Sequence, residues 1–194
     1  MLFVRRVLFV IIPAFFLLGL TPLPDPAIAL LILPGVGSCT VFYVEPAYEL
    51  RLGASIVASA GHCAFLGPAR VNEEEVEWLQ AVRDGVGTDF AIGLVTDNRP
   101  TKTYHGFAKE RAKVGEVVYI EGFPFGERNS AYGTVVETES TFEVPLAMEV
   151  LLDTPTLGPG ASGSPVMMNG EVVGILWGSH RFDPFRIVFT PITQ

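Results

Sequence analysis

Short strand-like runs separated by turns rich in glycine and proline constrain the fold of this chain more than any other feature. Ten such runs cover residues 38–44, 54–59, 75–82, 90–95, 117–122, 131–138, 147–153, 165–168, 171–178 and 186–190. This pattern is typical of an all-β protein built from antiparallel strands. The charges and apolar spacing of residues 73–82 would also suit a helix, but their place between two strand-like regions favours a strand.

A polar segment between the fourth and fifth runs is a candidate linker, and it divides the runs into two similar halves. Residues 98–113 are polar and contain Pro100 and several basic side chains, as expected of a connection between two lobes. A chain of 194 residues has room for two small lobes that share a core. We therefore predict two packed antiparallel β-barrels of the six-stranded type, over residues 30–105 and 106–194.

The first 29 residues have the layout of a hydrophobic leader. Arg5 and Arg6 precede an apolar run over residues 7–20, and Ala27 and Ala29 supply the small side chains that signal peptidase accepts. Cleavage near Ala29 would make the protein secreted or periplasmic. The alternative is an uncleaved membrane anchor over residues 1–29, with residues 27–33 as extra apolar length and the domain outside the cytoplasm.

Charge and cysteine content exclude some functions. The formal net charge is −8 and basic residues are not clustered, so a nucleic-acid partner is not expected. No cluster of cysteine and histidine has the spacing of metal ligands, so no metal is predicted. The two cysteines, Cys39 and Cys63, can pair in an oxidising compartment; the alternative is two buried free thiols.

A glycine-rich loop around Ser162 is the most informative segment of the chain. Its sequence, residues 158–165, is Gly-Pro-Gly-Ala-Ser-Gly-Ser-Pro. A tight turn of this kind exposes a serine hydroxyl while nearby backbone N–H groups converge on an oxyanion. Gly160 and Ser162 are the predicted N–H donors, and Gly163 leaves room for a close approach of the substrate.

Two further residues would complete a catalytic triad with Ser162. His62 follows an apolar strand and a turn of small residues, and Asp89 stands at the start of another apolar strand. A buried carboxylate there needs a polar partner, which a histidine N–H provides. The order His, Asp, Ser along the chain is one of the known orders for this triad.

These motifs resemble those of the trypsin- or chymotrypsin-like serine peptidases. Residues 59–63 (Ser-Ala-Gly-His-Cys) look like the histidine motif of that family, residues 88–92 like its aspartate motif and residues 160–166 like its serine motif. Residues 114–126 and 172–178 resemble bacterial Deg-type and glutamyl endopeptidase relatives. The resemblance implies a chymotrypsin-like fold and a serine endopeptidase that acts on proteins or peptides through an acyl-enzyme. It implies no cofactor, and it implies a disulfide between Cys39 and Cys63.

The resemblance also assigns a pocket for the substrate side chain. Thr156 takes the floor position where trypsin-type members carry an aspartate, and Ile187 stands where deep-pocketed members have glycine. Leu176, Trp177 and Gly178 would form the remaining wall. This composition predicts a preference for small to medium uncharged side chains, with acidic side chains bound by Arg186 or His180 as the alternative.

The sequence leaves two alternatives to a serine endopeptidase. A catalytically inactive member of the family would bind peptides in the same groove without cleaving them. A membrane-anchored structural protein would contain the glycine-serine loop by coincidence, but it would leave His62 and Asp89 unexplained.

Overall fold

The computed structural model describes residues 27–45, 53–96, 106–137, 146–180 and 182–192. Residues 1–26 of the predicted leader and residues 98–105 of the predicted linker lie outside these ranges. Most of the regular structure in the described residues is β-strand, and the strands form two antiparallel sheets. Among the described residues, no helix is long and apolar enough to cross a membrane.

The first sheet has seven strands in the order β5-β4-β1-β2-β3-β7-β6. One short helix, α1 (Gly61–Phe65), follows β3. The predicted strand over residues 75–82 is confirmed, because this region forms β5 and β6 rather than a helix. The strands are β1 (Ile28–Leu33), β2 (Gly37–Val44), β3 (Ala54–Ser59), β4 (Arg70–Val71), β5 (Glu74–Glu75), β6 (Glu77–Arg83) and β7 (Asp89–Thr96).

The second sheet closes into a six-stranded barrel in the order β10-β13-β12-β11-β8-β9. A turn of 3₁₀-helix, Pro124–Gly126, connects the two strands of this barrel that come first along the chain, Val117–Gly122 and Asn129–Glu137. Together the two sheets confirm the predicted all-β, chymotrypsin-like double barrel. The strands are β8 (Val117–Gly122), β9 (Asn129–Glu137), β10 (Met148–Leu152), β11 (Pro165–Met168), β12 (Glu171–His180) and β13 (Asp183–Pro191).

Apolar side chains from both sheets meet in one core between the barrels. Val172 and Ile175 of the second barrel belong to the same buried cluster as Phe42 of the first. The ring of Phe42 also meets the ring of Phe107 edge to face, with 6.4 Å between centroids. Burying a side chain of this size contributes about 1.5–3 kcal/mol. The two barrels therefore pack against each other through a shared apolar core.

Strand β1 lies before the first strand-like run predicted from the sequence, residues 38–44. It starts at Ile28, two residues before the predicted boundary at residue 30, and pairs with β2 along its whole length. Ala27 and Ile28 are buried in the first barrel. The end of the predicted leader is thus part of the folded domain.

Candidate active site

His62 and Asp89 form a paired group at the edge of the first barrel. His62 lies in α1, directly after β3, and Asp89 is the first residue of β7. The two atoms His62 Nδ1 and Asp89 Oδ2 are 2.6 Å apart. The backbone N–H of His62 donates to Asp89 Oδ1 at 2.7 Å. Because Nδ1 faces the carboxylate, Nε2 lies on the opposite side of the ring, where a proton can be exchanged with another group.

Asp89 is held from the second barrel as well. Its backbone N–H donates to the hydroxyl oxygen of Thr190 in β13 at 3.0 Å, and that hydroxyl donates to the carbonyl of Gly87 at 2.8 Å. Asp89 and Thr190 are both buried. Thr190 was not singled out in the sequence, because a threonine near the end of a strand-like run gives no sign of its partner on another barrel.

Ser162 lies in the loop that connects β10 to β11. Its hydroxyl donates to the carbonyl of Trp177 at 3.2 Å. Its backbone carbonyl accepts a hydrogen bond from the N–H of Thr40 in β2 at 2.7 Å. The next residue, Gly163, packs so closely on the first barrel that a Cβ there would lie 2.1 Å from the carbonyl oxygen of Thr40 and 2.3 Å from the hydroxyl of Ser59. The loop therefore sits against the strand that leads to His62.

The peptide between Pro159 and Gly160 has a defined orientation. The Pro159 carbonyl accepts a hydrogen bond from the N–H of Phe125 at 2.6 Å. In a trans peptide the N–H points away from the carbonyl, so the Gly160 N–H is directed away from Phe125. Within the described residues, neither this N–H nor that of Ser162 donates to another protein group. Both predicted donors are thus unengaged and can bind an oxyanion.

Thr40 binds the backbone carbonyl of Gly160. Its hydroxyl donates to the Gly160 carbonyl at 2.9 Å and accepts from the N–H of Phe123, also at 2.9 Å. Gly160 has a φ of +95°, and a Cβ on it would lie 2.5 Å from the Phe123 carbonyl oxygen. Thr40 is fully buried. A polar side chain within the apolar run of β2 indicates a buried polar contact in the sequence, but it does not identify Gly160 and Phe123 as the partners.

In a peptidase that uses this site, we expect Thr40→Val to slow catalysis while preserving the fold. The change keeps the shape of the side chain but leaves the Gly160 carbonyl and the Phe123 N–H without their shared partner. Losing an oxyanion donor outright costs about 10²–10³ in kcat, so losing its support is expected to cost about 10-fold. Steady-state kinetics on a cleavable peptide measures kcat and KM separately. Thr96→Val, at an exposed strand end, is the matched control; equal kcat values in both variants would contradict the role of Thr40.

A charged network stabilises the turn that carries Phe123 and Phe125. The nearly buried carboxylate of Glu121 accepts from the hydroxyl of Tyr119 at 2.8 Å and from Arg128 Nε at 2.5 Å. The guanidinium of Arg128 also lies over the Phe123 ring, 5.9 Å from its centroid. Burial, assisted by the Glu121 carboxylate, raises the pKa of Tyr119 to about 12. Tyr119 therefore remains a neutral donor at physiological pH.

A pocket of about 130 Å³ opens beside Ser162. Three of the predicted specificity residues, Leu176, Gly178 and Ile187, line it. Among its lining residues in the described part of the chain, none carries a charge. The complete lining is Leu157, Gly158, Pro159, Ala161, Ser162, Leu176, Gly178, Ser179 and Ile187.

The structure places the other two predicted specificity residues outside this lining. The hydroxyl of Thr156 donates to the Ser130 carbonyl at 3.1 Å, and the next residue, Leu157, takes the place predicted for it. Trp177 packs instead against Ala147 and Val188. The difference at Thr156 is one residue in an irregular loop, where sequence spacing does not determine which side chain faces inward.

The two basic residues considered for acidic selectivity, Arg186 and His180, do not line the pocket either. Arg186 Nη1 lies 3.1 Å from the fully buried carboxylate of Glu149, and Arg186 Nε lies 3.4 Å from Asp183. Its charge is thus balanced by two carboxylates. His180 meets the ring of Phe182, with 6.3 Å between centroids.

Cys39 and Cys63 form the predicted disulfide, with 6.4 Å between their Cα atoms. The bond links β2 to α1, which carries His62. Ligand atoms of Cys39, His62 and Cys63 lie within 4.8 Å of one another, the spacing of a possible metal group. Because both sulfurs are in the disulfide, they are not available as thiolate ligands in the oxidised protein.

Removing the disulfide is expected to destabilise the domain. The bond spans a sequence separation of 24 residues, and closing a loop of that size contributes about 3 kcal/mol by the chain-entropy estimate. We expect Cys39→Ala/Cys63→Ala to lower the urea midpoint of unfolding accordingly. Adding a thiol reductant tests the assignment: it is expected to lower the midpoint of the wild type and leave that of the double variant unchanged. Equal midpoints for oxidised wild type and double variant would contradict the prediction.

The double barrel of packed antiparallel sheets is the fold of trypsin-like serine proteases. No protein-family profile matches the chain, and no curated protein sequence matches it.

Solved structures do share this fold. The active form of the Rv3671c protease from M. tuberculosis is similar with a TM-score of 0.62 and 20% identity over 86% of this chain and 76% of that one. The HtrA-type protease AlgW, solved with a tripeptide, has a TM-score of 0.64 and 14% identity over 86% of this chain and 56% of that one. An inactivated protease paralogue of the scabies mite has a TM-score of 0.68 and 14% identity over 86% of this chain and 87% of that one. Similar structures therefore include both active and inactivated proteins.

Proposed function

We propose that the chain is a serine endopeptidase that hydrolyses peptide bonds through an acyl-enzyme. The observation that carries this proposal is that, among the described residues, the N–H groups of Gly160 and Ser162 donate to no protein group, next to a serine hydroxyl in a chain that also holds the His62–Asp89 pair. A groove that only binds peptides does not need donors kept free for a carbonyl oxygen that gains negative charge.

In the proposed mechanism, His62 Nε2 accepts the hydroxyl proton of Ser162 while Oγ attacks the carbonyl carbon of the substrate. Asp89 keeps His62 in the required tautomer and stabilises its cation. The oxyanion is bound by the N–H groups of Gly160 and Ser162. His62 then gives the proton to the leaving amine, and a water molecule activated by His62 hydrolyses the ester.

The serine hydroxyl has to turn before this reaction begins. It donates to the Trp177 carbonyl in the substrate-free protein, and the mechanism requires it to donate to His62 Nε2 instead. Catalytic hydrogen bonds are often incomplete until a substrate is bound. The proposal therefore requires the Ser162 hydroxyl to rotate away from the Trp177 carbonyl.

A fluorophosphonate probe distinguishes the peptidase from an inactive peptide-binding protein. The probe forms a covalent bond with a serine hydroxyl only when the base and the oxyanion donors are in place. We expect stoichiometric labelling of the wild type and none of Ser162→Ala, read by intact-protein mass. Folded wild type that stays unlabelled would favour the binding protein.

The substrate pocket supports a preference for small to medium uncharged side chains before the cleaved bond. Its volume of about 130 Å³ and its apolar walls, including the branched side chain of Ile187, leave little space for an aromatic ring. Shape discrimination is graded, at about 1–3 kcal/mol per methylene. A cleavage profile dominated by Lys or Arg, by Phe and Tyr, or by acidic residues would contradict this preference.

Ile187→Ala is expected to widen the preference toward larger side chains. Removing the branched end enlarges the pocket, so the ratio of kcat/KM for a Phe peptide to that for an Ala peptide is expected to rise about 10-fold. Matched peptides that differ only at that position give the ratio. Because Ile187 is fully buried, Ile187→Val serves as the conservative control, with an intermediate ratio expected. An unchanged ratio in both variants would show that Ile187 does not limit the size of the side chain that the pocket accepts.

A further inference from the structure

The segment Ala27-Ile28-Ala29 is both a signal-peptidase motif and the beginning of a buried strand. Its three residues are 1%, 4% and 8% exposed. They belong to the core cluster of the first barrel, together with Leu31 and Val41. The small side chains that fit a processing enzyme are therefore also packed inside the domain.

The backbone of this segment is engaged by β2. Ile28 pairs with Phe42 and Ala29 pairs with Val41 in the antiparallel ladder. The carbonyl of Ala27 accepts a hydrogen bond from the N–H of Tyr43 at 2.8 Å. A cut after Ala29 would remove these partners from the interior of the barrel, and buried backbone groups without partners are costly.

The same strand cannot lengthen a membrane anchor. Leu31 pairs with Cys39 of β2 on one side and with Val71 of β4 on the other. Residues 27–33 are thus committed to the barrel and are not available as the extra apolar length considered in the sequence analysis. The apolar run of residues 7–20 is then the part of the chain that can insert into a bilayer; it is shorter than the ~20 residues of a spanning helix, and Arg5 and Arg6 at its start can extend to the headgroups.

The sequence offers no good processing site before the strand. Signal peptidase needs small residues one and three positions before the cut. Between residues 7 and 27 only Gly19 and Thr21 have that spacing. The bond after Thr21 joins it to Pro22, and its imide nitrogen carries no N–H.

We propose that the chain is not cut at Ala29, and that its N-terminal segment remains attached and holds the domain at a lipid bilayer. Only residues 21–26 separate the apolar stretch from Ala27. Fully extended, a connection of this length reaches about 25 Å. The folded domain is therefore held close to the membrane surface. The proposal rests on β1 and not on peptidase activity.

The experiment uses the full chain expressed in a bacterial host that exports it. Membranes are washed with alkaline carbonate, and the intact mass of the protein is measured in the pellet and in the soluble fraction. The matched control is Pro24→Ala/Pro26→Ala, which places small residues at 24 and 26 and creates a processing site just before the strand. We expect the wild type in the washed membranes at its full mass, and the control variant released with Ala27 at its N-terminus.

Release of the wild type with Leu30 as its first residue would overturn the proposal, as would release after a cut at any earlier position. Retention of the uncut wild type supports it, whether or not the protein reacts with a fluorophosphonate. The two proposals can thus fail separately.

Discussion

Replacing Ser162 with alanine is expected to lower kcat on a cleavable peptide by at least about 10⁴-fold, because no other group in the site can form the acyl-enzyme. The hydroxyl makes one hydrogen bond, to the Trp177 carbonyl, and contributes little to packing. The thermal midpoint is therefore expected to change little. Steady-state assays at a saturating peptide concentration measure the loss of kcat, and circular dichroism shows whether the fold is retained.

Ser55→Ala is the control for this experiment. Ser55 lies in β3, near the end of the strand that is remote from His62, so its hydroxyl has no part in the reaction. We expect wild-type turnover from it. Wild-type turnover in Ser162→Ala would show that the nucleophile is another residue.

Asp89→Asn is expected to have the second-largest effect, a loss of about 10⁴-fold in kcat. The asparagine fills the same space and can still accept the backbone N–H of His62, so the fold is expected to survive. Its amide N–H would donate to His62 Nδ1, which fixes the proton on Nε2. With that nitrogen protonated, His62 cannot accept the proton of Ser162.

A surface variant separates this effect from a general change in charge. Asp153→Asn removes one carboxylate at an exposed position, and we expect it to leave kcat unchanged. If Asp89→Asn retained more than a tenth of wild-type kcat, the role of Asp89 as the partner of His62 would be contradicted.

The strands of the second barrel were predictable because each combines an apolar run with a turn signal. Residues 117–122 and 165–168 form β8 and β11 with the predicted bounds. The strand β1 was missed, because an apolar stretch of this composition suits a leader, an anchor or a buried strand equally well. Short elements such as α1 and β4 were missed as well, since two to five residues give no measurable periodicity.

In the site, residues within local motifs could be predicted from the sequence, whereas residues that act through long-range contacts could not. His62, Asp89 and Ser162 stand in short motifs that a sequence displays directly. Thr40 and Thr190 act through partners more than 80 residues away in the chain, and no local pattern indicates those partners. The position of Thr156 depended on a loop conformation, which spacing alone does not determine.

The hydrogen bond between Asp89 and Thr190, and that between Thr40 and Ser162, join halves of the site that belong to different barrels. Neither barrel contains a complete set of catalytic groups. A displacement of about 1 Å between reacting groups can cost 10²-fold in rate. We therefore expect that, on heating, loss of the contacts between the barrels ends the proposed activity while the strands within each barrel are still paired.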